Sequence, residues 1–234
     1  MPGGLFLREK IKGCILLVLL GLVIFFSHTL NRAVMQNQVE PGTVDVFLDP
    51  GHGGRDPGKV GVNGVLEKDI NLEISKELAD CLEQDGVAVA MTRDTDEGLY
   101  SEDAENKKRE DMEKRVEMIN QASPRLVVSI HQNSYQQEEV RGLQIFYYSG
   151  SEESEKTALT LEQFLQEKGV ENVRSSKAND TYYMLKKTEV PTIIIECGFL
   201  SNYQDAENLT DENWQKELAE ILSAGIQERL EEEN

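Results

Sequence analysis

The stretch VDVFLDPGHGGRDPGKVGVNGVLEK, residues 44–68, decides the fold and contains the first candidate functional residues. It begins with apolar residues typical of a short buried strand and then breaks at Asp49-Pro50-Gly51-His52, because proline and glycine disfavour regular structure. A helical pattern of apolar residues starts just after Glu67. We therefore predict a strand, a loop that carries His52 away from the strand end, and a helix headed by Glu67.

His52 and Glu67 are candidates for a metal site. Zinc takes nitrogen and oxygen ligands in a tetrahedral arrangement, and it keeps one position open when it is catalytic, so an imidazole and a carboxylate would suit it. A nucleotide site is disfavoured because the loop contains neither of the glycine-rich phosphate-binding motifs. A loop histidine taken alone is more often a surface residue than a ligand, so further residues must support the interpretation.

The rest of the chain alternates strands with helices. We predict strands at 87–92, 126–130, 142–148 and 191–195, a short edge segment at 182–185, and helices at 70–86, 112–119, 152–168 and 214–230. The strands at 126–130 and 191–195 are apolar on both faces, as expected where helices cover a parallel sheet on both sides. The pattern predicts a single α/β domain with a mainly parallel, twisted sheet of about six strands and helices on both faces.

Three ionisable residues follow predicted strands: His52, His131 and Glu196. Ligands of open α/β sheets bind at the carboxyl ends of strands, so these side chains should meet at one edge, where Glu67 joins them from a loop. The chain has three histidines, and all except His28 of the N-terminal segment lie at strand ends. His52, Glu67 and His131 thus form a candidate zinc site, and Glu196 is the candidate general base.

Two of these acidic residues have other interpretations. Glu196 could instead be the buried ion-pair partner of Arg93 or Arg115, since structural ion pairs also occur at such positions. Asp49 could accept a hydrogen bond from a metal-binding imidazole, or it could simply cap the loop.

The N-terminal part is not globular. Residues 13–30 carry no charge, and they follow Arg8, Lys10 and Lys12 and precede Arg32. The segment is short for a spanning helix, and the lack of an A-x-A cleavage motif favours an uncleaved signal anchor over a cleaved signal peptide. The excess of positive charge in front of it keeps the N-terminus cytoplasmic. We predict an apolar helix within residues 1–32, a linker at 33–43, and an exported, membrane-anchored domain at 44–234.

Charge and cysteine content exclude other classes. The chain has a net charge of −19, and the part beyond residue 32 has 20 basic against 42 acidic residues, which excludes a nucleic acid partner. Cys14, Cys81 and Cys197 form no C-x-x-C pair. Buried free thiols are favoured over a disulfide between Cys81 and Cys197, which export would permit.

Several motifs together resemble the type 3 family of zinc-dependent N-acetylmuramoyl-L-alanine amidases, over residues 44–230. The motifs are LDPGHGG at 48–54, Glu67, Thr92-Arg93, Arg115, Asn120, SIHQN at 129–133 and the segment 191–202. The resemblance implies that His52, Glu67 and His131 bind zinc and that Glu196 is the catalytic carboxylate. It also implies hydrolysis of the amide between the lactyl group of muramic acid and the L-alanine of the peptidoglycan stem peptide.

The chain departs from this family in two places. Gln132 stands where many relatives have a small residue, and residues 134–141 are too short for the helical insert that blocks the zinc in some septum-splitting members. The short single-domain organisation with an N-terminal apolar segment most resembles the spore-cortex, germination-specific amidases. This resemblance implies roles in sporulation, muramic-lactam formation and germination. A regulatory or zinc-loading partner protein is left open. The alternative function is a catalytically silent, membrane-anchored wall-binding module, while an ordinary zinc peptidase is disfavoured because H-E-x-x-H is absent.

Overall fold

Six strands form one sheet in the computed structural model, which describes residues 41–232. The strands are β1 (Val46–Pro50), β2 (Val89–Met91), β3 (Leu126–Asn133), β4 (Gln144–Tyr147), β5 (Arg174–Ala178) and β6 (Thr192–Phe199). Their order across the sheet is β2-β1-β3-β6-β4-β5. Strands β2, β1, β3 and β6 are parallel, β4 runs antiparallel to β6, and β5 is parallel to β4. The predicted single α/β domain with a mainly parallel sheet is confirmed.

Four of the six helices in residues 41–232 begin after a polar residue that caps their first turn. The six helices are α1 (Glu67–Gln84), α2 (Lys107–Ala122), α3 (Glu152–Glu167), α4 (Tyr183–Lys187), α5 (Tyr203–Asn208) and α6 (Glu212–Glu231). The side chains of Asn106, Ser151, Asn202 and Asp211 each accept a hydrogen bond from a backbone N–H of the following first turn. Helix α1 follows Leu66, which gives no such bond, and its first residue is Glu67.

The two faces of the sheet are covered by different helices. Helices α1 and α6 pack together over the central strands, and α3 packs on β4, β5 and α6. Val46 and Leu48 of β1 belong to this main apolar core. The intervening residues, such as Phe47, are buried on the other face, where α2 packs with α4. The central strands are therefore buried on both faces, as expected for the parallel part of the sheet.

One predicted strand is wrong. Residues 182–185 begin helix α4, and the edge of the sheet is formed by β5 instead. The sequence of β5 is RSSKA, and four of its five residues are exposed, so it lacks the apolar alternation by which strands are recognised. The antiparallel direction of β4 was also not apparent from the sequence.

The N-terminal predictions lie mostly outside the described residues. This applies to the apolar helix within residues 1–32 and to all of the linker 33–43 except its last residues. Within residues 41–232, no helix is both long and apolar enough to cross a membrane. Cys81 and Cys197 are free thiols, as favoured from the sequence, but only Cys197 is buried, while Cys81 is partly exposed.

Candidate metal and catalytic site

His52 lies in the loop directly after β1 and adopts an unusual backbone conformation. Its φ angle is 61°, in the left-handed region that residues with a Cβ rarely adopt. Its Nδ1 lies 2.9 Å from Asp56 Oδ2, and its Nε2 lies 3.1 Å from Glu67 Oε1. Partial burial opposes ionisation of Asp56, yet the hydrogen bond with His52 lowers the pKa of that carboxyl to about 2. The imidazole is thus oriented by one carboxylate while it faces another.

Glu67, the first residue of α1, lies between the two histidines. Its Oε1 is 2.9 Å from His131 Nδ1 and accepts from the Gln132 N–H at 3.2 Å, while its Oε2 accepts from the Lys59 N–H at 2.8 Å. Burial would raise the pKa of Glu67, but the hydrogen bonds with His131 and His52 hold it well below its usual range. The side chain is therefore a carboxylate with one oxygen directed at both imidazoles.

The strand register brings the third histidine next to Glu196. His131 of β3 pairs with Glu196 of β6, so the two side chains emerge side by side at the same end of the sheet. Desolvation would lower the pKa of His131, but the hydrogen bond and charge of Glu67 raise it. The meeting of the two residues was predicted, but the predicted strand ends at 130 and 195 are wrong. Strand β3 continues to Asn133 and β6 to Phe199, so His131 and Glu196 lie within these strands.

His52, Glu67 and His131 form a cluster whose chemistry fits a metal ion. Each offers one ligand atom, and these atoms all lie within 4.8 Å of one another. The imidazole rings pack edge to face with their centroids 5.0 Å apart. Two imidazole nitrogens and one carboxylate oxygen are a donor set that zinc accepts in catalytic sites. The structure thus brings together the three residues proposed as ligands from the sequence.

Two glycines make room for this cluster. A Cβ on Gly51 would collide with the imidazole of His131. A Cβ on Gly58, whose φ is +68°, would lie 2.7 Å from His52 Cδ2 and would also meet the Glu67 side chain. Gly51 and Gly58 are therefore needed for the close approach of the backbone to the site, and Gly58 also for its conformation.

Asp49 has a different role from the one considered in the sequence analysis. Its Oδ1 accepts hydrogen bonds from Thr92 Oγ1 and Arg115 Nη1, both at 2.7 Å, and its Oδ2 accepts from Ser129 Oγ at 2.7 Å. Burial opposes its ionisation, but the charge of Arg115 and these bonds lower its pKa. The acceptor for a metal-binding imidazole is Asp56, so the interpretation of Asp49 as that acceptor is wrong.

Glu196 is buried without an ion-pair partner in the described part of the chain. It is 6% exposed; Tyr182 Oη lies 3.4 Å from Oε1, and Oε2 has no hydrogen-bond partner among residues 41–232. Burial raises the pKa of Glu196, although His131 opposes the shift. The alternative that Glu196 pairs with Arg93 or Arg115 is wrong, because both guanidinium groups lie at the end of β1.

The sequence pattern described as "N-acetylmuramoyl-L-alanine amidase" matches residues 46–228. The chain belongs to this amidase family. Its members are hydrolases, and the amidase is therefore an enzyme, as predicted.

Curated and solved relatives agree with this assignment. The amidase is 36% identical over 184 residues to the germination-specific N-acetylmuramoyl-L-alanine amidase of Bacillus subtilis, covering 77% of each chain. It is similar to the CwlD amidase of Clostridioides difficile, solved in complex with the GerS lipoprotein, with 36% identity, a TM-score of 0.77 and coverage of 80% and 98%. It is also similar to the amidase AmiC2 of Nostoc punctiforme, with 32% identity, a TM-score of 0.70 and coverage of 82% and 99%.

Some residues of the site were not predicted from the sequence. Asp56 orients His52, and Tyr182 contacts Glu196. The amidase also uses Gln132, the residue that departs from many relatives: its Nε2 donates to Asn71 Oδ1 at 3.2 Å, and Asn71 Nδ2 donates to the Gly51 carbonyl at 3.0 Å. The spacing of Asp56 four residues after His52 was an available signal, whereas Tyr182 and Asn71 depend on contacts between distant segments.

Proposed function

We propose that this amidase is a zinc enzyme in which His52, Glu67 and His131 bind the ion and Glu196 is the general base. The observation that carries the proposal is the cluster of three ligand atoms within 4.8 Å, with the buried carboxylate of Glu196 in register with His131. The donor set suits zinc, and Asp56 supplies the outer carboxylate that metal-binding histidines usually have.

The residues have separate roles in the proposed reaction. A bound zinc ion supplies Lewis acidity to the scissile carbonyl and acidifies the attacking water. Glu196 accepts the proton of that water and returns it to the nitrogen of the leaving amine. The burial that raises the pKa of Glu196 brings it closer to a neutral operating pH, where a general base works best. Tyr182 keeps one oxygen of Glu196 in place and leaves the other for the reaction.

The proposed substrate is peptidoglycan. The amide that is cleaved joins the lactyl group of N-acetylmuramic acid to the L-alanine of the stem peptide, which the family description supports. Cleavage of this bond releases the stem peptide intact and leaves the glycan chain uncut.

The test combines metal analysis with a digest of intact peptidoglycan by the full chain. We expect about one zinc per protein and, by mass spectrometry, free stem peptides that begin with L-alanine. His52→Ala should lose both zinc and cleavage, whereas Glu196→Gln should lose cleavage alone. A protein that binds the wall but neither retains zinc nor releases peptides would instead support the silent binding module.

We propose further that the amidase acts on the spore cortex, where removal of stem peptides precedes muramic-lactam formation. The support is its similarity to the germination-specific amidase of B. subtilis. Expression in a B. subtilis strain that lacks its own germination-specific amidase should restore muramic lactam in the cortex, with Glu196→Gln as the inactive control. Cortex without muramic lactam, despite normal expression, would contradict this role.

The location and partners of the amidase are proposed on the same basis. We expect residues 1–32 to anchor an exported domain at 44–234 through the linker 33–43, and similarity to a probable cell wall amidase of Staphylococcus aureus supports an extracytoplasmic site. The solved complex of the CwlD amidase with a lipoprotein supports a partner protein for regulation or zinc loading. Membrane fractionation and crosslinking of the full chain test the anchor and the partner, respectively.

A further inference from the structure

Two buried arginines lie beneath the loop that carries His52. Arg93 follows β2 and is 2% exposed, and Arg115 lies on α2 and is 1% exposed. Buried guanidinium groups usually pair with carboxylates. Arg115 does so with Asp49 and Asp111, and both arginines donate to backbone carbonyl oxygens that include those of the three consecutive residues 50–52. Arg93 further donates to the carbonyls of Lys68 and Thr95.

The backbone carbonyl of each residue from 50 to 52 accepts at least one hydrogen bond from these two arginines. Arg93 Nε donates to the Pro50 carbonyl at 3.0 Å and to the His52 carbonyl at 2.7 Å, and its Nη2 donates to the Gly51 carbonyl at 3.0 Å. Arg115 Nη1 donates to the Pro50 carbonyl at 2.8 Å, and its Nη2 donates to the His52 carbonyl at 2.5 Å. The His52 carbonyl is thus fixed by two guanidinium groups.

These bonds explain how His52 maintains its left-handed conformation. A residue with a Cβ stays at a φ of 61° only where its surroundings determine that conformation. The carbonyl oxygen accepts from the two arginines and Nδ1 bonds Asp56, so three hydrogen bonds at two atoms restrain the backbone and ring of His52. The remaining nitrogen, Nε2, is the atom that faces Glu67.

The two arginines differ in how their charge is compensated. Positive charge near a cation site is unfavourable, and Arg115 is compensated by Asp49 at 2.7 Å and by Asp111 at 2.6 Å. Arg93 instead directs its N–H groups at backbone carbonyl oxygens. What an arginine supplies is a rigid planar fork of donors that can reach several carbonyls at once, whereas a lysine supplies the same charge from a single point.

We propose that Arg93 and Arg115 are positioning residues that set the metal affinity of the site by fixing His52. This inference rests on the proposed zinc function, because it assigns the arginines a role in binding that ion. It predicts that loss of the fork weakens metal binding even when the positive charge, the ligands and the fold are retained.

The test compares three buried Arg→Lys substitutions in the full chain. Arg93→Lys and Arg115→Lys remove the fork beneath His52. Arg229→Lys is the matched control, since Arg229 is also 1% exposed and bonds Thr157 and Glu153, which belong to α3. Zinc affinity is measured by competition with a chelator of known affinity, and folding is measured by thermal melting. The absorption spectrum of the Co²⁺-loaded protein reports the ligand geometry directly.

We expect Arg93→Lys and Arg115→Lys to bind zinc about 10- to 100-fold more weakly than wild type, as is typical when the group that orients a ligand is lost. Their Co²⁺ spectra should differ from that of wild type, while Arg229→Lys should match wild type in both measurements. If Arg115→Lys does not fold, because it disturbs a fully buried ion pair, Arg93→Lys decides the matter.

The failure of this inference can be distinguished from failure of the proposed function. A wild-type protein that binds no zinc would refute the zinc function itself. Wild-type zinc binding together with unchanged affinity in Arg93→Lys would overturn the positioning role, as would an equal loss in Arg229→Lys.

Discussion

Two buried carboxylates at the same edge of the sheet, Asp49 and Glu196, have opposite surroundings. Every oxygen of Asp49 is used, by Thr92 and Arg115 on one side and by Ser129 on the other. Glu196 has one long hydrogen bond, 3.4 Å from Tyr182, and an oxygen without a partner among residues 41–232. The pKa of Asp49 is lowered and that of Glu196 is raised, although both side chains are buried.

The contrast separates a structural carboxylate from a reactive one. A buried carboxylate whose oxygens all accept hydrogen bonds stabilises the fold, because its removal leaves a buried partner such as Arg115 unpaired. An unsatisfied carboxylate is costly for stability, and it is retained where an oxygen must be available for chemistry. We therefore expect substitution of Asp49 to lower the free energy of unfolding and substitution of Glu196 to lower the rate of amide cleavage.

The largest expected effect is the loss of activity in Glu196→Gln. Removal of a general base typically lowers the rate about 10²- to 10⁴-fold. Zinc content should stay at the wild-type level, because Glu196 does not belong to the cluster of candidate ligands. The measurement is the rate of stem-peptide release from peptidoglycan alongside metal analysis. Near wild-type activity in Glu196→Gln would remove the distinction between the two carboxylates.

Asp49→Asn should instead destabilise the fold. It leaves Arg115 buried with reduced compensation, and breaking a buried pair costs about 3–5 kcal/mol. The free energy of unfolding is measured by denaturant titration, with Glu196→Gln as the matched buried control. An equal loss of unfolding free energy in the two variants would show that burial, and not the number of hydrogen bonds to the carboxylate, determines what each residue contributes to stability.

The pH dependence of stability should have opposite signs for the two residues in metal-free protein. The folded-state pKa of Asp49 is depressed, so its contribution is present above the unfolded value of about 3.9 and is lost as the pH falls through the folded value. The folded-state pKa of Glu196 is raised, so stability decreases as the pH rises from about 4.3 toward that value.

Denaturant unfolding in the presence of a chelator, repeated from acid to neutral pH, tests this prediction. Glu196→Gln should be at least as stable as wild type at neutral pH, and Asp49→Asn should show a weaker loss of stability in acid. If both variants shift the pH profile in the same direction, the assigned pKa directions are incorrect.

The smallest effect is expected for Tyr182→Phe. The pKa of Tyr182 is raised to about 12, so its phenol remains a hydrogen-bond donor to Glu196 at neutral pH. The bond to the Glu196 carboxylate is long, at 3.4 Å, so its loss should cost about 0.5–1.5 kcal/mol and lower kcat by a few-fold to about tenfold. The acidic limb of the kcat/KM profile should move to higher pH, because the bond lowers the pKa of Glu196. The neighbouring Tyr183→Phe is the control and should leave that limb unchanged.

The sequence predicted the parts of this site that depend on local patterns. Apolar runs followed by glycine or ionisable residues placed His52, His131 and Glu196 at one edge, although β3 and β6 continue beyond His131 and Glu196 to Asn133 and Phe199. The partners of Asp49 were not predictable, because Arg115 lies 66 residues away and reaches it only through the packing of α2. The polar strand β5 was missed for a similar reason, since only its neighbour β4 identifies it as part of the sheet.

The pairing of His131 with Glu196 across β3 and β6 limits how the family can vary in length. Successive strand residues point to opposite faces, so a one-residue insertion or deletion within the part of β3 or β6 that precedes the functional residue would turn that side chain to the other face of the sheet. Insertions accumulated during evolution should therefore be confined to connections such as residues 134–143. A change of length in such a connection leaves the pairing of His131 with Glu196 intact.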